Sequence, residues 1–343
     1  MHLRASTPAV AVLTPTFNQE RFISAAIESV LSQSFSNWEM VVIDDGSTDG
    51  TVAAIETFSD QRISLIRRRH GGLDRLGDAY AAGLAATEAP LVAILEGDDE
   101  WPPDKLERQV PLFEDPDVVL AYGSAHEVDD VGCVYATYRR RPPGGAAENR
   151  PPGSILPYLL QQNFVVAATV VVRREVLNGI GGFWQPAGIP YVDHPTWLRL
   201  ALEGPFAHSA EVVGNWRRHP GQFTTSRATG PQPDNRTFLE EVLAEAMRRR
   251  LVRLTGNLED MVASGPSRHA RWAQAGNFRL ALLNGNVREA LTAARPLIRS
   301  GRPKWIALGL AGVAVRLVGS DLEWAFRLTN RFSWPSRRHS HHP

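Results

Sequence analysis

The stretch that decides the fold is residues 39–50, EMVVIDDGSTDG, in which a short apolar run passes directly into an acidic, glycine-containing turn. Similar runs, short and rich in Val, Ile and Leu, recur at residues 9–13, 63–66 and 91–95. Because they are largely apolar on both faces, they are typical of strands in a parallel sheet covered by helices. Helical spacing of apolar residues between the runs predicts βαβ units. The sequence therefore predicts an open α/β sheet.

The composition suits an enzyme-sized globular protein. The chain has 343 residues, 43% of them hydrophobic, which excludes global disorder. Lys and Arg together number 37, as do Asp and Glu, so no bulk positive field attracts nucleic acid and none is expected as a partner. The single cysteine, Cys133, excludes an intrachain disulfide and a cysteine zinc cluster. We expect a cytoplasmic location, because neither a signal-peptide core nor a membrane-spanning apolar stretch occurs.

Breaks in the pattern predict the domain organisation. We expect one α/β domain over residues 1–230, with a flexible Pro- and Gly-rich loop near 142–153. Residues 231–335 are helical in pattern and predict a C-terminal helical appendage. A peripheral contact of these helices with the inner face of the membrane stays open. Residues 336–343 form a basic, His-rich tail that we expect to be disordered.

Two acidic clusters follow predicted strands directly. Residues 44–50 (DDGSTDG) follow the second strand, and residues 96–99 (EGDD) follow the fourth. Ligands bind at the carboxyl ends of the strands in open α/β sheets, so these carboxylates should lie close together. Their repulsion would be offset by Mg²⁺ or Mn²⁺, which suit a diphosphate ligand. The alternative is that Asp-Asp-Gly-Ser only forms a turn and caps the next helix.

Other ligand motifs fit less well. Asp45, Ser47, Asp49, Gly50 and Glu56 have the spacing of an EF-hand loop, but a strand-like run precedes them where an EF-hand requires a helix. No G-x-G-x-x-G follows the first strand and no Walker-A sequence occurs, which disfavours nicotinamide and P-loop nucleotide sites.

Five motifs, in order, resemble family 2 glycosyltransferases of the GT-A fold, over about residues 8 to 227. Each is moderately specific alone, and their common order is highly specific. They are residues 13–18 (LTPTFN) with the helix end 30–35 (VLSQSF), 41–49 (VVIDDGSTD), 95–106 (LEGDDEWPPDKL), 181–183 (GGF) with 191–200 (YVDHPTWLRL), and 216–221 (WRRHPG).

The resemblance implies an inverting transferase with an open mixed sheet, which uses a UDP-, dTDP- or GDP-linked sugar donor and Mn²⁺ or Mg²⁺. The acceptor would be a glycan, a lipid-linked molecule or a small molecule. By the same resemblance, Asp98 and Asp99 would hold the metal, and Asp193 would be the general base that deprotonates the acceptor hydroxyl. Arg217, Arg218 and His219 would be candidates for contacting the diphosphate. The residues that would bind the donor nucleotide are Pro15, Thr16, Phe17, Glu20, Asp45, Glu96 and Asp98.

The sequence departs from the family pattern at three positions. Glu96 stands where Asp is usual, Val192 where an acidic residue often precedes the base, and Ala81 where Asn is common. They motivate the alternative of a catalytically weak or inactive relative, acting as a nucleotide-sugar-binding scaffold. The Gln-x-x-Arg-Trp element of processive synthases does not occur, so we expect transfer of a single sugar.

Two local alternatives also stay open at this level. Asp193 could serve as a helix N-cap in addition to acting as a base. The basic run Arg67 to His70 could touch phosphate or simply form a solvated strand end.

Overall fold

A computed structural model describes residues 7–138, 149–219, 221–222 and 234–251. The chain divides into two compact units, the first made of residues 1–217 with 233–266 and the second of residues 218–232 with 267–343. Every helix and strand described below belongs to the first unit. Of the second unit, only residues 218, 219, 221 and 222 are described.

The described part of the first unit alternates strands and helices. The strands are β1 (Val10–Thr16), β2 (Trp38–Asp44), β3 (Ile63–Arg67), β4 (Leu91–Ile94), β5 (Leu120–Val128), β6 (Val134–Tyr138), β7 (Val171–Arg173) and β8 (Phe206–Arg217). The helices are α1 (Ile23–Leu31), α2 (Thr51–Glu56), α3 (Leu76–Ala85), α4 (Lys105–Gln109), α5 (Leu156–Gln161), α6 (Arg174–Gly179), α7 (Asp193–Glu203) and α8 (Arg236–Arg248). None of the helices in the described ranges combines the length and apolar character that crossing a bilayer requires.

The strands form one mixed sheet in the order β3-β2-β1-β4-β7-β5-β6, with β8 paired to β5. The N-terminal strands β1 to β4 are parallel to one another where they pair, whereas β7 runs antiparallel to both β4 and β5. The carboxyl ends of β1, β2 and β4 therefore lie at one edge of the sheet, which brings the turns that follow them together.

Helices cover both faces of this sheet. Successive residues of a strand point to opposite faces, so in β2 Met40 packs with Ile23 and Ile27 of α1, whereas Val41 belongs to the core on the other face. That second core includes buried apolar residues of α3, α5, α7 and α8. Both faces of β1 are buried, as its continuous apolar run predicts.

The structure confirms the predicted open mixed α/β sheet and its order of elements. The four apolar runs of the N-terminal half form β1 to β4 with bounds that differ by a few residues. The predicted helix near residues 196–202 is the longer α7, which begins at Asp193.

Helix α8 lies in the segment that the sequence assigns to the appendage, yet it belongs to the first unit. Its Phe238, Leu239, Val242 and Leu243 are buried in the same core as α7. The first unit thus extends past residue 230. The remaining predicted appendage, the tail and most of the Pro- and Gly-rich loop lie outside the described residues.

Candidate active site

The turn after β1 is tied to the acidic turn after β2 by side-chain hydrogen bonds. Asn18 has a left-handed backbone (φ 51°), its N–H donates to Ser47 Oγ (2.9 Å) and its Oδ1 accepts from Thr48 N (2.8 Å). Glu20 Oε2 accepts from Gly50 N (2.7 Å), and Glu20 N donates to Asp49 Oδ2 (3.2 Å). Glu20, predicted to bind the nucleotide, is thus placed where it holds this turn.

The same β1 turn also contacts the acidic turn after β4. Gly97 N donates to the Pro15 carbonyl (3.2 Å), and Thr16 Oγ1 donates to Gln19 Oε1 (2.7 Å). A Cβ on Gly97 would lie 2.8 Å from Thr16 Oγ1 and closer still to Gln19 Oε1, so only glycine allows this approach. Pro15 and Thr16 therefore lie between the two acidic turns, as the sequence predicts for a nucleotide-binding turn.

Asp45 accepts hydrogen bonds from the loop that follows β3. Gly71 N donates to both of its carboxylate oxygens (3.2 and 3.1 Å), and Gly72 N donates to Oδ2 (3.0 Å). His70 Nδ1 lies 3.0 Å from Asp45 Oδ2 and 2.9 Å from the Asp45 carbonyl oxygen. The His70 ring also stacks on Phe17, with centroids 4.0 Å apart.

The acidic turn after β4 holds three carboxylates whose oxygens lie within 4.8 Å of one another, those of Glu96, Asp98 and Asp99. Asp98 and Asp99 are buried and Glu96 is partly buried. Burial and then the Asp98 and Asp193 charges raise the pKa of Glu96 from 4.5 to about 8. Burial, Asp98 and Glu96 likewise raise the pKa of Asp99 well above its usual value. Three carboxylates so placed repel one another strongly unless a cation offsets their charge.

The last strand fixes the orientation of this turn. Arg217 N donates to Asp99 Oδ1 (2.8 Å), and the Arg217 guanidinium donates to the carbonyl oxygens of Asp98 (2.9 Å) and Asp129 (3.0 Å) and to Glu100. Paired backbone hydrogen bonds between Glu100 and Asn215 continue the contact. The Arg217 side chain is 4% exposed. Arg217, predicted as a diphosphate contact, is therefore engaged in holding the acidic turn.

Asp193 begins α7, where the positive end of the helix dipole favours a carboxylate. Asn163 Nδ2 donates to its Oδ2 (2.6 Å). Burial raises the pKa of Asp193, and hydrogen bonds from the His194 backbone and from Asn163 only partly oppose this. A carboxyl with a raised pKa is a better proton acceptor, as a general base requires. Asp193 is close enough to the acidic turn for its charge to raise the pKa of Glu96.

Tyr80, on α3, is buried and lies within electrostatic range of the site's carboxylates. Burial raises its pKa well above 10, and the charges of Glu96, Asp193, Asp99 and Asp98 raise it further. Its ring packs on Phe183 of the Gly-Gly-Phe motif at 4.5 Å. No local motif pointed to Tyr80 or Asn163, because both reach the site only through tertiary packing.

Trp101 and Lys105, which follow the acidic turn after β4, are buried and packed in the protein. Trp101 Nε1 donates to the Ala168 carbonyl (2.8 Å), and the fully buried Lys105 ammonium lies 4.7 Å from the Trp101 ring centroid and contacts Gln109. Burial holds the pKa of Lys105 well below its usual value. The Trp-x-Pro-x-Lys-Leu motif is thus a packing element of the described structure.

The structure brings most of the predicted site residues to one edge of the sheet. Glu96, Asp98, Asp99 and Asp193 interact electrostatically, and Pro15 and Thr16 link their turn to the one that carries Asp45. Arg218 and His219 belong to the second unit, so their role stays a prediction. The EF-hand alternative is wrong, because strand β2 precedes the loop.

Two departures from the family pattern lie outside the acidic turn after β4. Val192, which directly precedes Asp193, is buried in the apolar core, and Ala81 of α3 is exposed and lines a pocket with Leu84, Arg174 and Phe183. The third, Glu96, is a full member of the acidic turn.

The chain is similar in sequence to known glycosyltransferases. The model of the family described as Glycosyl transferase family 2 matches residues 11–179. The putative teichuronic acid biosynthesis glycosyltransferase TuaG of Bacillus subtilis is 38% identical over 201 residues, which are 57% of this chain and 73% of the relative. The UDP-Glc:alpha-D-GlcNAc-diphosphoundecaprenol beta-1,3-glucosyltransferase WfgD of Escherichia coli is 30% identical over 205 residues, 56% of this chain and 69% of the relative. The uncharacterized glycosyltransferase alr2836 of Nostoc sp. is 38% identical over 120 residues, which span only 36% of its length.

Solved structures share the fold. S. aureus TarS 1–349 in complex with UDP-GlcNAc has a TM-score of 0.55 at 15% identity, covering 94% of this chain and 88% of that chain. The mannosyltransferase PcManGT from Pyrobaculum calidifontis, in complex with GDP-Man and Mn²⁺, has a TM-score of 0.50 at 20% identity, covering 96% and 88%. The fold is thus GT-A, and by its matching family model and its relatives this chain belongs to glycosyltransferase family 2.

Proposed function

We propose that this protein is a divalent-metal-dependent, inverting glycosyltransferase. It moves a single sugar from a nucleotide-sugar donor to an acceptor hydroxyl. The names of TuaG and WfgD favour a place in the synthesis of a cell-surface polysaccharide, a glycolipid or a glycoconjugate.

The observation that carries the proposal is the cluster of three carboxylates after β4, together with a fourth, Asp193, whose charge acts on this cluster. Glu96, Asp98 and Asp99 lie together after β4, and Asp193 of α7 is near enough to raise the pKa of Glu96. A protein gains nothing in stability from such a cluster, because burial and repulsion both disfavour the charged forms. A site that binds a cation and positions a base explains why these side chains are placed together.

The donor set fits a hard divalent cation. Carboxylate oxygens are the ligands that Mn²⁺ and Mg²⁺ prefer, and in this site Asp98 and Asp99 would hold the ion. When bound, the ion stabilises the charge that develops on the diphosphate as the glycosidic bond breaks. Arg217 keeps the ligands in place through its hydrogen bonds to Asp99 and to the Asp98 carbonyl.

Asp193 supplies the proton acceptor. Asn163 Nδ2 donates a hydrogen bond to Asp193 Oδ2, and Asp193 is the first residue of α7. It would take the proton of the acceptor hydroxyl as that oxygen attacks the anomeric carbon, which inverts the configuration there. On this account a second carboxylic acid for the leaving group is unnecessary.

The decisive experiment is the substitution Asp193→Asn. We expect donor binding in the presence of Mn²⁺ to stay within about twofold of the unmutated value, while sugar transfer falls by about a thousandfold. Binding is measured by calorimetry with UDP, and transfer by the acceptor-dependent release of UDP from a UDP-linked sugar. The matched control is Asp117→Asn, which changes an exposed aspartate outside the site. Turnover of Asp193→Asn equal to that of the control would exclude Asp193 as the base.

The alternative function is that of a catalytically weak or inactive scaffold. It is motivated by Glu96, which stands in the acidic turn where Asp is usual. An inactive nucleotide-sugar-binding scaffold would bind UDP-sugars tightly and release no nucleoside diphosphate. Slow hydrolysis of the donor without acceptor, lost in Asp98→Asn, would support the enzyme. Tight binding with no hydrolysis and no transfer would support the scaffold.

The cytoplasmic location, the membrane contact of the C-terminal helices and the disordered tail stay predictions. The predicted diphosphate contacts Arg218 and His219 are part of the same proposal.

A further inference from the structure

The ring of His70 occupies a distinctive place beside Asp45. It stacks on Phe17 at 4.0 Å with 19° between the ring planes, and its Nδ1 lies within hydrogen-bond distance of Asp45 Oδ2 and of the Asp45 carbonyl oxygen. Both of these oxygens can only accept, so Nδ1 carries the hydrogen and donates. A flat ring with one ring N–H is therefore bound between Phe17 and Asp45. These are two of the residues that the family resemblance assigns to the donor nucleotide.

The same two contacts are those that a nucleobase would make. An aromatic base would stack on Phe17, which is 39% exposed, and would donate a ring N–H to the Asp45 carboxylate. The His70 ring and the base cannot both occupy this position. The His70 side chain is about half exposed (49%), so solvent is available to receive it.

The backbone around His70 allows its ring to move away from Asp45 while the main chain of residues 70–72 keeps its position. Gly46 has a left-handed backbone (φ 79°), and a Cβ there would lie 2.7 Å from His70 N, so the backbone of His70 packs directly on the acidic turn. Gly71 and Gly72, which follow, hold the Asp45 carboxylate through their N–H groups. Rotation of the His70 side chain breaks none of these backbone contacts.

The hydrogen bonds of Asp45 also bear on which base fits. The Gly71 N–H donates to both carboxylate oxygens at once, so it occupies the edge between them. Guanine presents two neighbouring donors, N1–H and N2–H, which need that two-oxygen edge. Uracil and thymine present a single imide N–H, which needs only one oxygen, as the His70 ring does.

We propose that the His70 ring holds the place of a pyrimidine base in the donor-free protein, and that the uracil or thymine of the donor displaces it. The inference rests on the proposed function and assigns His70 the role of a residue that competes with the donor. A ring in place for about nine-tenths of the time weakens the apparent affinity about tenfold, since only the remaining molecules can bind.

Calorimetry with UDP, dTDP and GDP in the presence of Mn²⁺ tests the proposal on the full chain. For the unmutated protein we expect UDP or dTDP to bind at least about tenfold more tightly than GDP. For His70→Ala we expect UDP or dTDP to bind about three- to tenfold more tightly than to the unmutated protein. The control is Asp117→Asn, which changes an exposed side chain outside the site and should leave the affinity unchanged.

His70→Asn guards against a variant that fails to fold, because it keeps an N–H donor but removes the stacking ring. It should tighten binding less than His70→Ala does. Unchanged or weaker binding of both pyrimidine nucleotides to the folded variants would overturn the role of His70 and leave the proposed function standing. GDP binding as tightly as UDP and dTDP would overturn the pyrimidine assignment. If none of the three nucleotides binds the unmutated protein, the proposed function itself fails, and this inference with it.

Discussion

The two acidic turns, residues 44–50 after β2 and residues 96–99 after β4, are similar in composition and opposite in electrostatics. In the first, the carboxylates accept backbone hydrogen bonds: Asp44 from Ser47 N, Asp45 from Gly71 N and Gly72 N. Burial raises the pKa of Asp49, but hydrogen bonds from Thr51 and the Glu20 backbone outweigh it and the pKa lies below its usual value. In the second, the carboxylates face one another, and the pKa values of Glu96 and Asp99 are raised.

The difference separates carboxylates that form a turn from carboxylates that suit a metal ion. A carboxylate that accepts several N–H bonds is stabilised in its charged form, as turn chemistry requires. A buried cluster that repels itself is unfavourable until a cation binds. The alternative that Asp-Asp-Gly-Ser forms a turn thus describes Asp44 well, and Asp49 forms similar hydrogen bonds just after it. The second turn is the better candidate for the metal.

The largest effect is expected for the double substitution Asp98→Asn and Asp99→Asn. It removes the proposed metal ligands, so Mn²⁺-dependent binding of UDP should fall by at least about a thousandfold. The matched change in the first turn, Asp49→Asn, should leave UDP binding within about twofold. Both are measured by calorimetry. Equal losses in the two turns would show that the comparison between them is wrong.

Arg217→Met should lower the stability of the folded protein even when no metal or donor is bound. The guanidinium is buried and bonded to Glu100 and to two carbonyl oxygens, so its loss should lower the free energy of unfolding by about 3 kcal/mol. Urea unfolding of the metal-free protein measures it. Arg236→Met, which removes an exposed pair with Glu240, serves as the control and should cost less than about 1 kcal/mol. A cost for Arg217→Met no greater than this control would contradict the role of Arg217.

The raised pKa of Glu96 predicts how the stability of the metal-free protein depends on pH. Because the folded pKa of about 8 exceeds the usual 4.5, the folded state binds the proton more tightly than the unfolded state between these values. Stability should therefore fall as the pH rises toward about 8, by about 1 kcal/mol from pH 7 to 8. Thermal unfolding in chelator measures it. Glu96→Gln should reduce this slope, and an unchanged slope would show that Glu96 is not its source.

The smallest effect is expected in the first turn. Asp49→Ala removes hydrogen bonds to Thr51 N, Thr51 Oγ1 and Glu20 N, which should cost about 1 kcal/mol of stability. Asp49→Asn retains an acceptor and should cost less. Chemical unfolding compares the two. A loss of metal-dependent UDP binding in Asp49→Ala, with stability unchanged, would show that Asp49 contributes to ligand binding as well as to the turn.

The N-terminal half of the fold could be predicted from sequence because β1, β2 and β4 are buried on both faces, although β3, at the end of the sheet, is not. The runs within β1, β2 and β4 are continuous in apolar residues, and acidic turns follow β2 and β4 directly. The strands β5 and β8 gave no such signal, since polar residues interrupt them, as in LAYGSAHEV and FAHSAEVVGNWR. Their pairing depends on contacts between residues far apart in the chain.

The same distinction applies to the site. Local motifs and the family resemblance pointed to Asp98, Asp99 and Asp193 as candidates, and these residues lie after a strand and at a helix start. They did not point to Tyr80 or Asn163. For His70 they indicated only that it ends a basic run. Some carboxylates accept hydrogen bonds and others repel one another. This difference depends on where loops such as residues 70–72 lie, and the sequence pattern does not predict their positions.

The most direct test of the central claim, that the turn after β4 binds a cation together with the donor's diphosphate, is calorimetry of UDP binding to the unmutated protein with Mn²⁺ and with chelator. We expect UDP to bind at least about a thousandfold more tightly with Mn²⁺ than in chelator, which matches the loss expected when both metal ligands are replaced. The same dissociation constant in both conditions would contradict it.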